Sequence, residues 1–230
     1  MVDFWLQNWH EISTESRQAD WLAFAAFMFW LWLIWPTHQL KSLLVDRELR
    51  QRFFIAATFI IGLWLLNANV MQGMHAHFLG LVSISMMFGW RLTSILVLPC
   101  SLFFSTFIIK QPAVFGAYSL IAMLLPIFLS YLFYIQSYKY LPKHLFIFIF
   151  FGGFFNAALM MASHISLWSL WLWATQQYSW SVLVDNYLVL IPLLGFPEAL
   201  LNGMAITLLV VYRPHWLYDY SDKQYLWRKP

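Results

Sequence analysis

Apolar runs long enough to cross a bilayer dominate the chain, and short polar segments separate them. The runs lie at about 21–38, 53–70, 77–90, 92–109, 114–135, 145–163 and 186–211. A helix needs roughly 20 apolar residues to span the hydrocarbon core. The pattern therefore predicts an all-α polytopic membrane helical bundle of about seven transmembrane helices. The run 77–90 is short for a crossing, and we expect it to begin in a re-entrant or buried segment.

No linker, low-complexity stretch or clear repeat divides the chain. We expect a single integral membrane domain over 1–230, with an external N-terminal segment at 1–20 and a cytoplasmic tail at 212–230. The Trp-rich stretch 166–180 follows the sixth run. Because Trp rings favour the headgroup region, it is predicted to form an interfacial helix or loop.

Composition supports the membrane assignment and argues against several functions. Hydrophobic residues make up 62% of the chain and charged residues only 10%, against roughly 25% charged in soluble domains. The net charge of +3 comes from residues in loops, so we expect no nucleic-acid partner. The sequence has no phosphate-binding loop, dinucleotide fingerprint, nucleophile elbow or evident nucleophile–base pair. We expect a protein that is not an enzyme.

The distribution of Lys and Arg predicts the orientation. With the N-terminus outside, eleven of the 13 basic residues fall on the inner side, and only Arg17 and Lys110 fall on the outer side. Inner loops of membrane proteins carry the excess of positive charge. We therefore expect a multi-pass protein of the cell (inner or plasma) membrane, N-out and C-in.

Candidate metal ligands are concentrated in the run Gly73–Gly80, which joins the second and third spans on the outer side. It contains Met74, His75 and His77, and imidazole and thioether groups suit Ni, Co, Cu and Zn better than Mg or Ca. His75 and His77 share a face only if the run is extended, whereas a helical turn would align Met74 with His77. His10 and His164 also fall at the outer side. The alternative is that these histidines are interfacial anchors or ordinary hydrogen-bonding groups.

Glu198 is the only acidic side chain well inside a predicted span, and Pro192, Gly195 and Pro197 interrupt its helix. An ionisable group there costs at least about 2.5 kcal/mol, so it should face the bundle interior and have a partner. Two interpretations remain open. In the first, Glu198 is a proton or cation relay, or a carboxylate that orients a histidine. In the second, it ties the helix to a neighbour through Asn156 or Asn202.

Small residues occur in two further spans, at Gly116–Ala117 and Gly152–Gly153. Such residues let helices approach closely. They indicate either packing within the bundle or a docking face for a partner membrane subunit.

Several of these motifs resemble one family, the cobalt/nickel permease (CbiM/NikM-type) substrate-binding components of energy-coupling factor transporters. The run Gly73–Gly80 matches the Gly, His, Leu and Gly positions of the family's third span, and Gly89-Trp90 stands where its Gly-Pro-Trp would. The segment 197–203, Pro-Glu-Ala-Leu-Leu-Asn-Gly, is similar to the family's last span. The segment 116–123 is a degraded match to its fifth-span motif.

The chain departs from the family pattern at its start and in the fifth span. The family begins Met-His and uses its free amine and imidazole on the metal, whereas this chain begins Met-Val-Asp. His10 precedes Trp21-Leu22 by about the family's interval and is expected to take the place of that histidine. Tyr118 and Ala122 replace the two Asn residues of the fifth-span motif, and His75 and Met74 are gained.

The resemblance implies capture of a transition-metal ion (Ni, Co or Cu) as transported substrate, with separate energy-coupling membrane and ATPase subunits as partners. The predicted metal ligands are His77, His75, Met74 and His10, with Glu198 and Asn202 as further functional candidates. Protons compete with metals for imidazole, so affinity should fall below about pH 6.5. The alternative is a non-transport assembly or interaction protein that keeps the scaffold but has lost the metal site.

Overall fold

The computed structural model describes residues 2–221, and for residues 2–17 it describes only the helical backbone. The fold is all-α apart from one small hairpin. The helices are α1 (Val2–Ile34), α2 (Thr37–Val45), α3 (Arg47–Leu65), α4 (Leu81–Phe88), α5 (Trp90–Ile108), α6 (Pro112–Tyr140), α7 (Leu145–Ala174) and α8 (Trp180–Tyr212). The strands β1 (Asn67–Met71) and β2 (Met74–His77) lie between α3 and α4.

Among the described residues, four helices, α5 to α8, are long and apolar enough to cross a membrane. The pair α1 and α2 brings the number to five if the two are one broken span, bent by 73°. Pro36 lies at the bend. Proline has no backbone N–H to donate, and it disfavours a helical conformation in the residue before it. The membrane bundle is confirmed, while the count of seven and the N-out orientation remain predictions.

The segment expected to be re-entrant or buried forms the hairpin followed by α4, and most of β2 is buried. Gly80 begins this helix with a φ of +67°, and a Cβ there would lie 3.0–3.1 Å from side-chain carbons of Leu63 and Ile60. A glycine is needed for both the left-handed backbone and the close approach to α3. The turn therefore packs the end of the hairpin tightly against the bundle.

Contrary to the sequence prediction, the Trp-rich stretch does not begin a separate helix or loop at residue 166; its location at the membrane interface remains a prediction. The helix α7 continues to Ala174, because nothing in 164–174 is a Gly or Pro that would end it. The chain turns only at 175–179, where Gln176 adopts a φ of +56°. The rings of this stretch thus extend a long helix, and several of them point into the protein.

The interruption expected in α8 is present but lies further upstream. The helix widens to π-helical hydrogen bonding over Val184–Leu188 and then runs without a break from Leu190 to Tyr212, through Gly195 and Pro197. Pro192 has no N–H for the carbonyl of Leu188 four residues before it, which accounts for the irregular turn at that point. Glu198 therefore projects from a regular helix.

The glycine pairs pack against the protein's own helices. A Cβ on Gly116 would lie 2.7 Å from the Cα of Phe24 in α1, and one on Gly153 would lie 2.6 Å from Ile206 in α8. These distances are far below van der Waals contact. The small residues at these two positions therefore serve internal packing, as small residues do between membrane helices.

The two ends of the bundle differ in the residues and loops that lie there. The hairpin end holds β1, β2 and the ends of α6, α7 and α8 that contact them. The basic end holds Arg91 at the start of α5, the loop 141–144 and the turn after α8. The hairpin end carries the candidate metal ligands.

Candidate metal centre

The hairpin puts two of the predicted ligands on one face. The register pairs Asn67 with His77 and Asn69 with His75, and Gly73 makes the turn with a φ of +79°. Alternate residues of a strand point to the same side, so His75 and His77 share a face and Met74 lies on the other. The run is extended, and the helical alternative that aligned Met74 with His77 is wrong.

His77 is 2% exposed, and both of its ring nitrogens have partners. Nδ1 donates to the carbonyl oxygen of Phe78 at 3.1 Å, because a carbonyl can only accept. Nε2 therefore carries the lone pair of the neutral ring and accepts from the hydroxyl of Tyr118 at 2.9 Å. The ring is fixed in the tautomer that offers Nε2.

His164 from α7 lies next to His77. Its ring centroid lies 5.5 Å from that of His77, and its side chain is 2% exposed. Nδ1 donates to the carbonyl oxygen of Ala122 at 2.6 Å. Pro126, four residues further along α6, has no N–H to give that carbonyl. The proline therefore leaves an acceptor that fixes the tautomer of His164 and keeps its Nε2 lone pair available.

His75 has the same tautomer on the neighbouring position of β2. Its Nδ1 donates to the side-chain oxygen of Asn67 at 3.3 Å. The amide nitrogen of Asn67 donates to two carbonyls of α3, which fixes the orientation of that amide. Burial lowers the pKa of His75, so its imidazole is neutral at neutral pH. Neutral imidazole with one nitrogen tied by a hydrogen bond is the form that binds metals.

Aromatic rings form the wall between the histidines. Phe104 contacts His77 at 4.7 Å and His75 at 5.5 Å between ring centroids, and it stacks on Tyr118 at 5.5 Å. Phe104 and Tyr118 each begin a π-helical segment, in α5 and α6. Such segments re-aim side chains at functional sites.

The structure brings together His77 and His164, but it does not bring together all four predicted ligands. Within residues 18–221, whose side chains are described, no three His, Cys, Asp or Glu residues are close enough together to hold a metal ion. Met74 is fully buried on the opposite face of β2. The side chain of His10 lies outside the described residues. The contributions of His75, Met74 and His10 to a ligand set remain predictions.

Glu198 and Asn202 fix the backbone that follows His77. The two carboxylate oxygens of Glu198 accept from the N–H groups of Leu79 and Gly80, at 2.9 and 2.7 Å. Asn202 donates to Glu198 at 2.8 Å, and its own oxygen accepts from the backbone and hydroxyl of Ser83 at 2.9 and 2.8 Å. Glu198 therefore ties α8 to the start of α4 through Asn202, as the structural interpretation expects. Asn156 instead donates to Gly152.

Four aromatic side chains hold the hairpin by hydrogen bonds to its carbonyls and to the segment after it. Trp168 donates to Gly73 at 2.8 Å, Tyr178 to Gln72 at 2.8 Å, Tyr187 to His75 at 3.2 Å and Trp64 to Leu79 at 3.2 Å. The abundance of Trp in the sequence predicts a place at the membrane interface and does not predict these hydrogen bonds. A buried Trp or Tyr needs a partner for its polar atom, and that requirement was the available signal.

His164 and Tyr118 were also missed as site residues. Tyr118 and Ala122 are the two positions where the chain departs from the Asn residues of the resembled family. Both contact the histidine pair, one through its hydroxyl and the other through its carbonyl oxygen. The departures therefore fall on the site itself.

Comparisons with known proteins identify the family and the fold. The family described as cobalt uptake substrate-specific transmembrane region (CbiM) matches residues 12–216. A solved structure described as a truncated transition metal transporter is similar, with a TM-score of 0.64 and 16% identity, over 85% of this chain and 95% of that one. At this identity the likeness shows a shared fold. A comparison with curated proteins finds no match. The chain belongs to the CbiM family of cobalt uptake substrate-specific transmembrane regions.

Proposed function

We propose that this protein captures a transition-metal ion at the hairpin end of the bundle for uptake across the cell membrane. The observation that carries the proposal is the pair His77 and His164, whose rings lie 5.5 Å apart and whose Nδ1 atoms both donate to backbone carbonyls, which leaves Nε2 of each ring as the metal-binding atom. Two imidazoles fixed in this way supply two ligands of a metal site. An ion could bind both of them without a rearrangement of the helices. Ni, Co and Cu are the candidate ions, because imidazole suits them better than the hard cations.

In this proposal Tyr118 blocks His77 Nε2 until a metal ion binds. Its hydroxyl occupies the Nε2 lone pair of His77 in the unliganded protein. An incoming ion must displace this hydrogen bond before it can bind His77 Nε2. The remaining coordination positions are assigned to His75 and His10 or to water, because Met74 lies on the opposite face of β2 from His77.

Transport across the membrane needs an energy source outside this chain. The sequence contains no nucleotide-binding motif, and the resemblance to energy-coupling factor components implies a separate coupling membrane subunit with ATPases. We propose these as partners. Proteoliposomes holding this chain with such a module should take up metal when ATP is supplied, and vesicles with this chain alone should not.

The metal site is tested by titrating Ni, Co, Cu and Zn into the purified protein and measuring bound metal after desalting. Wild type should retain one equivalent of at least one ion, and His77→Ala/His164→Ala should retain none. The matched control is His38→Ala/His215→Ala, since both of these histidines are exposed and lie away from the hairpin. If the wild type retains no ion, or the site variant retains as much as wild type, the proposal is wrong. The first of those results would favour an interaction protein on the same scaffold.

A further inference from the structure

A cavity of about 460 Å³ lies at the basic end, away from the histidines. α4, α6 and α7 form its floor through Ser85, Ser130 and Asn156, and the segment after α8 closes one side. Aromatic side chains make up much of its wall. None of these residues takes part in the candidate metal centre.

Oxygen atoms without a protein partner line this cavity. Asn156 is 2% exposed, and its amide nitrogen is used on the carbonyl of Gly152 at 3.2 Å, so Oδ1 is the polar atom left for the cavity. Within the described part of the chain, Asn156 Oδ1, Ser85 Oγ and Gln39 Oε1 have no hydrogen-bond partner. Buried polar atoms are costly unless something satisfies them. Two of these three atoms can only accept, so the group that satisfies them is a donor or a cation.

The rim carries one charge of each sign. Asp219 is on one side, and Arg91 is at the start of α5 with its guanidinium 5.4 Å from the ring centroid of Trp90. The rim therefore favours neither cations nor anions. The oxygen atoms of Asn156, Ser85 and Gln39 determine which kind of ligand binds. Amide, hydroxyl and carboxylate oxygens together with water suit hard-coordinated divalent cations. Six waters occupy about 180 Å³, so a hydrated ion fits the cavity.

Two helices connect the histidine pair to the cavity. Asn156 lies eight residues before His164 in α7, a rise of about 12 Å. Met160 lies midway between them and is 1% exposed, so a thioether separates the imidazole from the amide along one side of the helix. α4 likewise begins at the turn held by Glu198 and ends at the cavity with Ser85 and Met86.

We propose that this cavity is a second, weaker site for a divalent cation, which receives the ion from the imidazoles in a partly hydrated state. Asn156, Ser85 and Gln39 hold the ion or its waters. The assignment of this ion as the transported metal rests on the function proposed above. The existence of the oxygen site does not, since it can be measured without the histidines.

The experiment uses Mn²⁺, an ion suited to oxygen ligands, with the full chain in a non-ionic detergent. Binding is followed by loss of the free Mn²⁺ signal in electron paramagnetic resonance. The background is His77→Ala/His164→Ala, which removes the imidazole pair. We expect one weak equivalent of Mn²⁺ in this background. Adding Ser85→Ala should weaken it about tenfold, as loss of supporting oxygens does in other metal sites.

Asn156→Leu in the same background should abolish Mn²⁺ binding, and gel filtration reports whether the variant folds. If Asn156→Leu does not fold, the comparison with Ser85→Ala still tests the proposal. Ser163→Ala is the matched control, because the Ser163 hydroxyl donates to the carbonyl of Met160 outside the cavity. No Mn²⁺ bound in the background protein, or equal binding with and without Ser85→Ala, would overturn the proposal. Neither result bears on metal binding by the wild-type histidines, so this failure is separable from failure of the proposed function.

Discussion

At the scale of single residues, the site depends on where each imidazole keeps its proton. His75, His77 and His164 all donate through Nδ1 to an oxygen acceptor: a side-chain amide for His75 and backbone carbonyls for the other two. This leaves every Nε2 as the donor atom for a metal. Such outer partners fix the ring and raise the affinity of its other nitrogen.

Tyr118→Phe isolates the one hydrogen bond that a metal must displace. The phenyl ring keeps the stacking on Phe104, while the hydroxyl on His77 Nε2 is lost. A hydrogen bond of this kind is worth about 0.5–1.5 kcal/mol, so metal affinity should rise about two- to tenfold in a competition titration. Tyr187→Phe removes a hydroxyl from the hairpin backbone instead and should not tighten binding. Weaker binding in Tyr118→Phe would mean that the phenol oxygen is itself a ligand.

Glu198→Ala removes the acceptor of two buried backbone N–H groups. Each unsatisfied donor costs about 1–3 kcal/mol, so thermal unfolding in detergent should shift to clearly lower temperature. Glu198→Gln keeps one acceptor oxygen and should lose less. Glu48→Gln is the surface control, since that side chain is 62% exposed in its pair with Arg52. A melting temperature for Glu198→Ala within error of this control would refute the tie between α8 and α4.

At the scale of elements, the site is a short hairpin held by rings from the surrounding helices. A two-stranded hairpin is marginally stable by itself in water. Here Trp64, Trp168, Tyr178 and Tyr187 bond to the carbonyls of the hairpin and of the segment after it, and each ring comes from outside the two strands. The positions of His75 and His77 are therefore set by the bundle.

Trp168→Phe tests this support. It removes the bond to the Gly73 carbonyl, worth about 1 kcal/mol, together with part of a buried ring. Amide hydrogen exchange over 67–77 should become faster, and metal affinity should fall. Trp173→Phe changes a half-exposed ring on the same helix and should leave exchange in the hairpin unchanged. Equal exchange in the two variants would show that the hairpin does not depend on Trp168.

Gly116→Ala and Gly62→Ala form a matched pair for helix packing. A Cβ at Gly116 meets the backbone of Phe24 at 2.7 Å, whereas one at Gly62 meets nothing within 4 Å. The first substitution should destabilise the protein by separating α1 from α6. The second should be neutral or stabilise it by up to about 1 kcal/mol, because alanine is the better helix former. Similar melting temperatures for both variants would contradict the close packing of α1 on α6.

At the scale of the whole molecule, hydrophobic patterning predicted the fold well and the site only in part. The all-α helical bundle and the pairing of Glu198 with Asn202 both follow from local sequence. The partnership of His77 with His164 does not, because 87 residues and several helices separate them, and only tertiary packing brings them together. The same holds for Trp168, which pattern alone assigns to the membrane interface.

Orientation is also a property of the whole chain. The excess of Lys and Arg predicts that the basic end faces the cytoplasm and the hairpin end faces outward. A reporter that is active only in the cytoplasm should therefore be active when fused after residue 221 and inactive when inserted at 176–177. The opposite pattern would place the histidine pair on the inner side and reverse the proposed direction of capture.

The most direct test of the account is X-ray absorption spectroscopy at the edge of the bound metal, which counts imidazole ligands. Wild type loaded with the tightest-binding ion should show at least two imidazoles, and His164→Ala should show one fewer, with His215→Ala unchanged as the control. An unchanged imidazole count in His164→Ala would show that this histidine does not bind the metal and would contradict the central claim that His77 and His164 hold the ion together.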